Sequence, residues 1–243
     1  MAGCGLFITG TDTGVGKTAV AVAIVRSLLQ GRSLDGGLRV GVYKPVASGV
    51  HPGTITESDA GQLWEAAGRP LSLAAVCPQL FIAPISPPAS ARAEGRCVDE
   101  QRLRDGFAVW QQVSDIVIVE GAGGLFSPLA DTMLNADLVR DLDLPLVVVD
   151  TPRLGAIGRT LAIVEAAAAR GLRVAAVVLS QVEPLAGSLT EPASPRAIAR
   201  ESVRHLADLI QPVPVAELGH HVTAFTPAID WHRLAQRASP STP

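Results

Sequence analysis

The sequence predicts an α/β fold, a mostly parallel, doubly wound sheet flanked by helices, forming a single domain over residues 1–237. Three observations predict it. Apolar runs of strand length alternate with helical stretches of ten or more residues, the length that crossovers between parallel strands require. The chain is 48% hydrophobic yet only 4% aromatic, the aliphatic bias expected of strands covered by helices on both faces. The first apolar run leads into a glycine-rich loop and then a helix, the order of a phosphate-binding loop. At 243 residues the chain is long enough for one large core and short for two.

The elements follow in order. Residues 5–9 form the first strand, the loop runs from Gly10 to Thr18, and 17–30 form a helix of small and β-branched residues. A flexible connection at 31–37 precedes a strand at 38–43. Residues 58–67 and 100–112 read as helices, 115–120 and 144–150 as strands, 158–170 as a helix and 173–180 as a strand. A surface loop rich in Pro, Ser and Gly fills 184–195. A helix at 195–210 and a short strand at 213–215 close the fold, and 238–243 is expected to be a disordered tail. Ligands of such sheets bind at the carboxyl ends of the strands, so chemical motifs should follow strands. They do.

The loop reads Gly10-Thr11-Asp12-Thr13-Gly14-Val15-Gly16-Lys17-Thr18. Its glycines let backbone N–H groups turn inward onto phosphate oxygens, and the helix that follows adds its positive end. Gly14, Val15, Gly16, Lys17, Thr18 and Ala19 are the expected nucleotide-binding residues, with Lys17 on the β- and γ-phosphates and Thr18 on Mg²⁺. The strict pattern has glycine where Thr11 stands; here it falls one residue earlier. After the second strand comes Lys44-Pro45-Val46-Ala47-Ser48-Gly49, which places a lysine in the same crevice. Asp59 opens a helix, either as an ordinary first-turn carboxylate favoured by the helix dipole or as an acid facing Mg²⁺. Glu120 ends a buried strand and begins Glu120-Gly121-Ala122-Gly123-Gly124, the layout of a second, metal-side motif, with Glu where Asp is commoner.

With these residues in hand, the chain resembles the dethiobiotin synthetases. The loop, Lys44–Gly49, Ser58-Asp59-Ala60, the stretch 81–87 and Glu120–Gly124 occur in that family's order over the first half of the chain. The resemblance implies a reaction. A diaminononanoate amine captures CO₂ as a carbamate, ATP phosphorylates the carbamate, and the second amine closes a cyclic urea with release of phosphate. It implies Lys17 and Lys44 as catalytic cations. It implies Thr18, Asp59 and Glu120 as an all-oxygen Mg²⁺ environment, with Gly121, Ala122 and Gly123 against the nucleotide. Thr13 and Ser48 are then substrate-binding. Ser180, Gln181, Pro214, Val215, Ala216 and Glu217 are assigned to base and ribose, and a homodimer is expected.

The second half departs from the family. Ser180-Gln181 stands where many members have Asn-Asp, and Gly158-Arg159 where Asn-His is usual; Pro88 replaces a histidine. A hydroxyl reads a base edge less discriminately than an amide, so ATP is expected to be preferred over CTP and GTP by less than about a hundredfold. Competition kinetics with the three nucleotides checks this. Arg159 either pairs with the substrate carboxylate or is an exposed helical arginine.

Other classes fit less well. A net charge of −3 gives no basic field for nucleic acid or anionic lipid. No apolar run approaches the roughly 18 residues of a membrane span, and no basic segment precedes the first strand as in a signal peptide. Cys4, Cys77 and Cys97 are scattered, as expected of reduced thiols in the cytoplasm, and His220-His221 reads as a surface turn rather than a metal pair. Partner-regulated switch ATPases of the chromosome-partitioning kind carry a lysine where Asp12 stands. Amide-forming relatives carry a further glutamine-hydrolysing domain, for which there is no room.

Overall fold

In the computed structural model, which describes residues 4–30 and 37–236, the strands and helices alternate as expected. They are β1 (Gly5–Gly10), α1 (Lys17–Gln30), β2 (Val40–Tyr43), β3 (Ala47–Ser48), a 3₁₀ turn (Pro52–Glu57), α2 (Asp59–Ala66), α3 (Leu73–Val76), β4 (Leu80–Phe81), α4 (Pro87–Ala93) and α5 (Glu100–Val113). The second half holds β5 (Ile116–Gly124), α6 (Asn135–Leu142), β6 (Leu146–Asp150), α7 (Ala156–Ala169), β7 (Val174–Ser180), α8 (Pro195–Leu209), β8 (Val215–Leu218), β9 (Phe225–Thr226) and α9 (Trp231–Ala235). The tail at 238–243 and nearly all of the 31–37 connection lie outside the described residues.

Seven strands form one sheet in the order β2-β5-β1-β6-β7-β8-β9, parallel throughout except for the antiparallel edge pair β8–β9. From β1 the chain first builds β5 and β2 on one side and later β6, β7 and β8 on the other. The order therefore reverses at β1, and a crevice opens at its carboxyl end. β1, β2 and β6 are buried at every position, which is why they read as continuous apolar runs. Helix α1 packs with α2 and α9, while α5–α6 and α7–α8 form two further packed pairs. Asp99 caps α5 by accepting from Arg102 N at 3.0 Å, and Ser194 caps α8 through Ala197 N at 3.2 Å.

Three of the boundaries that differ from expectation do so for a plain local reason. β5 runs past Glu120 to Gly124, because its glycines let it stay against β1 as far as the Gly10–Gly124 pair. β8 begins at Val215 rather than 213: Val213 N closes a turn on Ile210 O at 2.9 Å, and Pro214 has no N–H for the ladder. α7 begins at Ala156, two residues early, after Gly155 turns the chain in the left-handed region at φ 86°. α4, with prolines in its first two positions, and α6 are additional helices. Ala136, Leu138, Val139 and Leu142 of α6 are all buried, a helical spacing present in the sequence.

The candidate active site

β1, β2 and β5 end side by side, so the residues that follow β1 and β2 and the last residues of β5 converge on one cavity of about 700 Å³. Thr13, Gly14, Gly16, Lys17 and Thr18 supply one wall, Lys44, Asp59 and Glu120 the floor, and Ala122 and Gly123 a third side. Gly16 requires its missing side chain, since it sits at φ 91° and a Cβ would run into the Ser180 side chain. Ser180 thus packs behind the phosphate loop, buried, rather than facing the cavity. Val15 and Gly121 are likewise buried supports.

Lys44 is the centre of the electrostatics. Its Nζ donates to Glu120 Oε1 at 2.5 Å, to Asp59 Oδ2 at 3.0 Å and to the Gly121 carbonyl at 3.3 Å. Burial alone would pull its pKa down, but Glu120 and then Asp59 outweigh it and raise it above the usual lysine value. The Asp59 side chain is half-exposed; burial pushes its carboxyl up, and Lys44 overcomes this to hold it below the usual range. Glu120 is fully buried, and desolvation raises its pKa against the pull of Lys44. Thr18 Oγ1 donates to Glu120 Oε1 at 3.0 Å, while Oε2 of the same carboxylate is buried with no hydrogen-bond partner among the described residues. Lys17 rests on the Asp12 carbonyl at 2.8 Å, and burial followed by repulsion from Lys44 lowers its pKa.

The remaining expected residues divide. Thr13 and Ser48 line the cavity, and the Ser48 hydroxyl donates to Ile85 O at 2.5 Å, leaving its lone pairs for a ligand. Ala19 is exposed on the first turn of α1. Gln181 Nε2 donates to Glu217 Oε1, which places these two at the carboxyl ends of β7 and β8. Val215 and Ala216 are buried in the interior of β8, and Pro214 lies at the strand's opposite end, away from the cavity. Arg159 is neither exposed nor free: it is half-buried and paired with Asp150 at 3.1 Å. The three cysteines are free thiols; Cys77 is buried, and desolvation raises it to about 12.

Two contributors have no site role assigned from sequence, although the first lies in the 81–87 motif. The loop after β4 brings Pro84, Ile85 and Pro87 to the cavity, joined by Val50 and Pro128 into an apolar wall beside Lys44. Asn135, buried at the start of α6, accepts from Ala122 N at 3.2 Å and donates to Ala122 O, Gly124 O and Ser127 O at 2.7, 2.9 and 3.1 Å. It staples the glycine strip after Glu120, and Gly121 leaves room for it, since a Cβ there would strike Asn135 Oδ1. An Asn opening an apolar-periodic helix is its one sequence signal.

A phosphate loop at the switch point of a helix-covered parallel sheet, faced by a strand-end acid and a second lysine, defines a P-loop nucleoside-triphosphate enzyme. A family profile described as an AAA domain matches residues 4–216. An ATP-dependent dethiobiotin synthetase BioD of Rhodopirellula baltica is 42% identical over 198 residues, 76% of this chain and 75% of the relative. One from Anaeromyxobacter sp. Fw109-5 is 40% identical over 220 residues, 89% and 90% of the two chains. The chain belongs to the ATP-dependent dethiobiotin synthetase family. Among solved structures, that of pNOB8 ParA bound to nonspecific DNA superposes with a TM-score of 0.52 at 14% identity, over 87% of this chain and 76% of that one. That likeness is one of fold alone.

Proposed function

We propose that this chain closes the ureido ring of dethiobiotin from 7,8-diaminononanoate, CO₂ and ATP, with Lys17 and Lys44 as its catalytic cations. As a member of its family it is an ATP-dependent ligase that forms carbon–nitrogen bonds in biotin synthesis. The observation that carries the residue assignment is Lys44: a buried ammonium, held by two carboxylates, facing the phosphate loop across one cavity. A fixed cation there suits a reaction in which both partners, the carbamate and the γ-phosphoryl group, are anionic.

The steps follow the chemistry of the groups. One amine attacks CO₂ to form the N–C bond of a carbamate and loses a proton. A carbamate oxygen then takes the γ-phosphoryl group from ATP, breaking the bond to ADP and giving a carbamic–phosphoric anhydride. The second amine attacks its carbonyl carbon, the ring closes, and inorganic phosphate leaves. Lys17 would leave the Asp12 carbonyl for the phosphates, and Lys44 would lie against the carbamate and the phosphoryl group in flight. The wall of Val50, Pro84, Ile85, Pro87 and Pro128 suits the alkyl chain of the diamine, with Thr13 and Ser48 at its polar end. No covalent nucleophile is required; positioning and charge carry the rate.

Thr18, Asp59 and Glu120 fit a divalent cation. All three offer oxygen, as Mg²⁺ demands, and the unpartnered Glu120 Oε2 is a buried acceptor lacking a donor. These residues would hold Mg²⁺, which when bound offsets charge on the triphosphate. Gln181, anchored by Glu217, is assigned to the base, and Gly14, Gly16, Ala122 and Gly123 to the phosphates. We place the enzyme in the cytoplasm as a homodimer acting on small molecules rather than on nucleic acid or membranes. The net charge of −3 offers no attraction to nucleic acid or anionic membranes, and among the described residues no helix is long and apolar enough to cross a membrane.

Phosphate release from Mg-ATP and bicarbonate, measured with and without diaminononanoate, tests the reading. Release is expected to depend on the diamine and to yield one phosphate per dethiobiotin. Slow release indifferent to the diamine would overturn it.

A further inference from the structure

We propose that Asp150 and Arg159 form a positioning pair that holds the phosphate loop in its ligand-ready shape, acting through Thr11. Asp150 ends β6, beside β1 in the sheet, and its side chain has no solvent exposure. Its Oδ1 accepts from Thr11 Oγ1 at 2.7 Å, from Thr151 N at 2.8 Å and from Arg159 Nη2 at 3.3 Å. Its Oδ2 accepts from Arg159 Nε at 3.1 Å and Thr160 Oγ1 at 3.4 Å. Every oxygen is used, and the one cation among these donors comes from α7.

The pair matters to the loop because the loop has few other ties. Among the described residues, Thr11 Oγ1–Asp150 is the one side-chain bond that joins residues 11–16 to another strand; the backbone adds Thr11 N to Val149 O at 2.9 Å. Thr13 N and Lys17 Nζ bond only within the loop, to Asp12. Thr11 therefore earns its place where the strict pattern has glycine: its hydroxyl is the anchor. A buried carboxylate keeps a fixed position only while its charge is paired. Without Arg159 the carboxylate would draw in water or move, and Thr11 with it. The loop would then spend less time in the receptive shape, and apparent nucleotide affinity would fall by that fraction.

The same geometry turns most of Arg159 away from the substrate. Its guanidinium also donates to Leu154 O at 3.3 Å and Thr151 O at 3.5 Å, so all but one of its N–H donors are committed to Asp150 and the α7 entry, and the two-donor fork that grips a carboxylate ligand is already taken.

The inference rests on ATP use alone, so it is tested by ATP binding in the absence of diamine. Titration calorimetry on the full chain should show ATP affinity about tenfold weaker in Arg159→Met. In Thr11→Val, which leaves the Asp150–Arg159 pair intact, a similar loss should occur with the melting temperature unchanged. The double variant Asp150→Asn/Arg159→Met removes the unpaired charge and keeps an acceptor for Thr11; it should return to within about threefold of wild type. Wild-type ATP affinity in Thr11→Val would overturn the proposal. So would an Arg159→Met chain whose diamine KM rises while its ATP affinity stays put, since Arg159 would then be a substrate ligand. A wild-type chain that binds ATP yet shows no diamine-dependent phosphate release would instead refute the ligase assignment and leave the pair intact.

Discussion

Lys44→Ala should reduce diamine-dependent phosphate release by about a hundred- to a thousandfold, because it removes a fixed cation from a water-poor site where such groups contribute about 3–4 kcal/mol to the transition state. It should also destabilise the protein. Glu120 has no solvent exposure, and Lys44 is its nearest cation. Stripping one partner from a buried ion pair costs about 3–5 kcal/mol when the other stays charged. The pH dependence separates the two effects. Burial already raises the Glu120 pKa, and Lys44 is what opposes that rise. In the variant the folded-state value climbs further. An acid whose pKa is raised on folding favours the fold below its ordinary value, near 4.5, and loses that contribution as pH rises through the folded value. The gap in melting temperature between wild type and Lys44→Ala should therefore be widest at neutral pH and shrink towards pH 4–5. Thermal melts across that range check it; a pH-independent gap would mean Glu120 is not left charged and buried. Activity should not return at low pH, because the catalytic cation is gone at every pH.

Asn135→Leu should cost about 2–5 kcal/mol. The substitution strips the Ala122 N–H and C=O of their amide partner and takes a donor from Gly124 O and Ser127 O. A buried polar group left unpaired costs about 1–3 kcal/mol. Gly124 O and Ser127 O keep backbone donors, from Ser127 N and Asn135 N, so the Ala122 groups carry most of the loss. For a chain of this size that corresponds to a drop in melting temperature of about 4–20 °C. Asn135→Asp should do worse than its small change in shape suggests, since a carboxylate would face three carbonyl oxygens with nothing to donate. Turnover should fall in both variants because the glycine strip at Glu120 loses its staple. A melt within about 2 °C of wild type would show that the strip is held by other means.

The core sheet was readable because its strands are buried on both faces and so appear as unbroken apolar runs; 144–150 and 173–180 are the clearest. The phosphate loop was readable because its chemistry is contiguous. Lys44 could be placed because it directly follows a strand, and Glu120 because it closes the apolar run of one. What bonds to what was not readable. That Lys44 joins Asp59 to Glu120 depends on how β2 and β5 sit in the sheet, and that Asn135 staples residues 122–127 depends on a helix whose apolar spacing lasts little more than two turns. Pro214, Val215 and Ala216 show the converse limit: two residues of displacement in β8 decide which side chains point into the core and which strand end meets a ligand. β3, β4 and β9, two residues each, have no periodicity to read.

The position of β1 in the middle of the sheet also fixes when the site can exist during synthesis. The phosphate loop is among the first parts of the chain made, yet its partners are distant: Thr18 bonds to a residue 102 positions later and Thr11 to one 139 positions later. At about 5–20 residues per second, a ribosome needs roughly 5–30 seconds to supply them. Until then the nascent loop lacks at least one of its neighbouring strands, so ATP can stabilise only a chain made through the end of β6. The nucleotide is then a late clamp on a folded molecule rather than a seed for its folding.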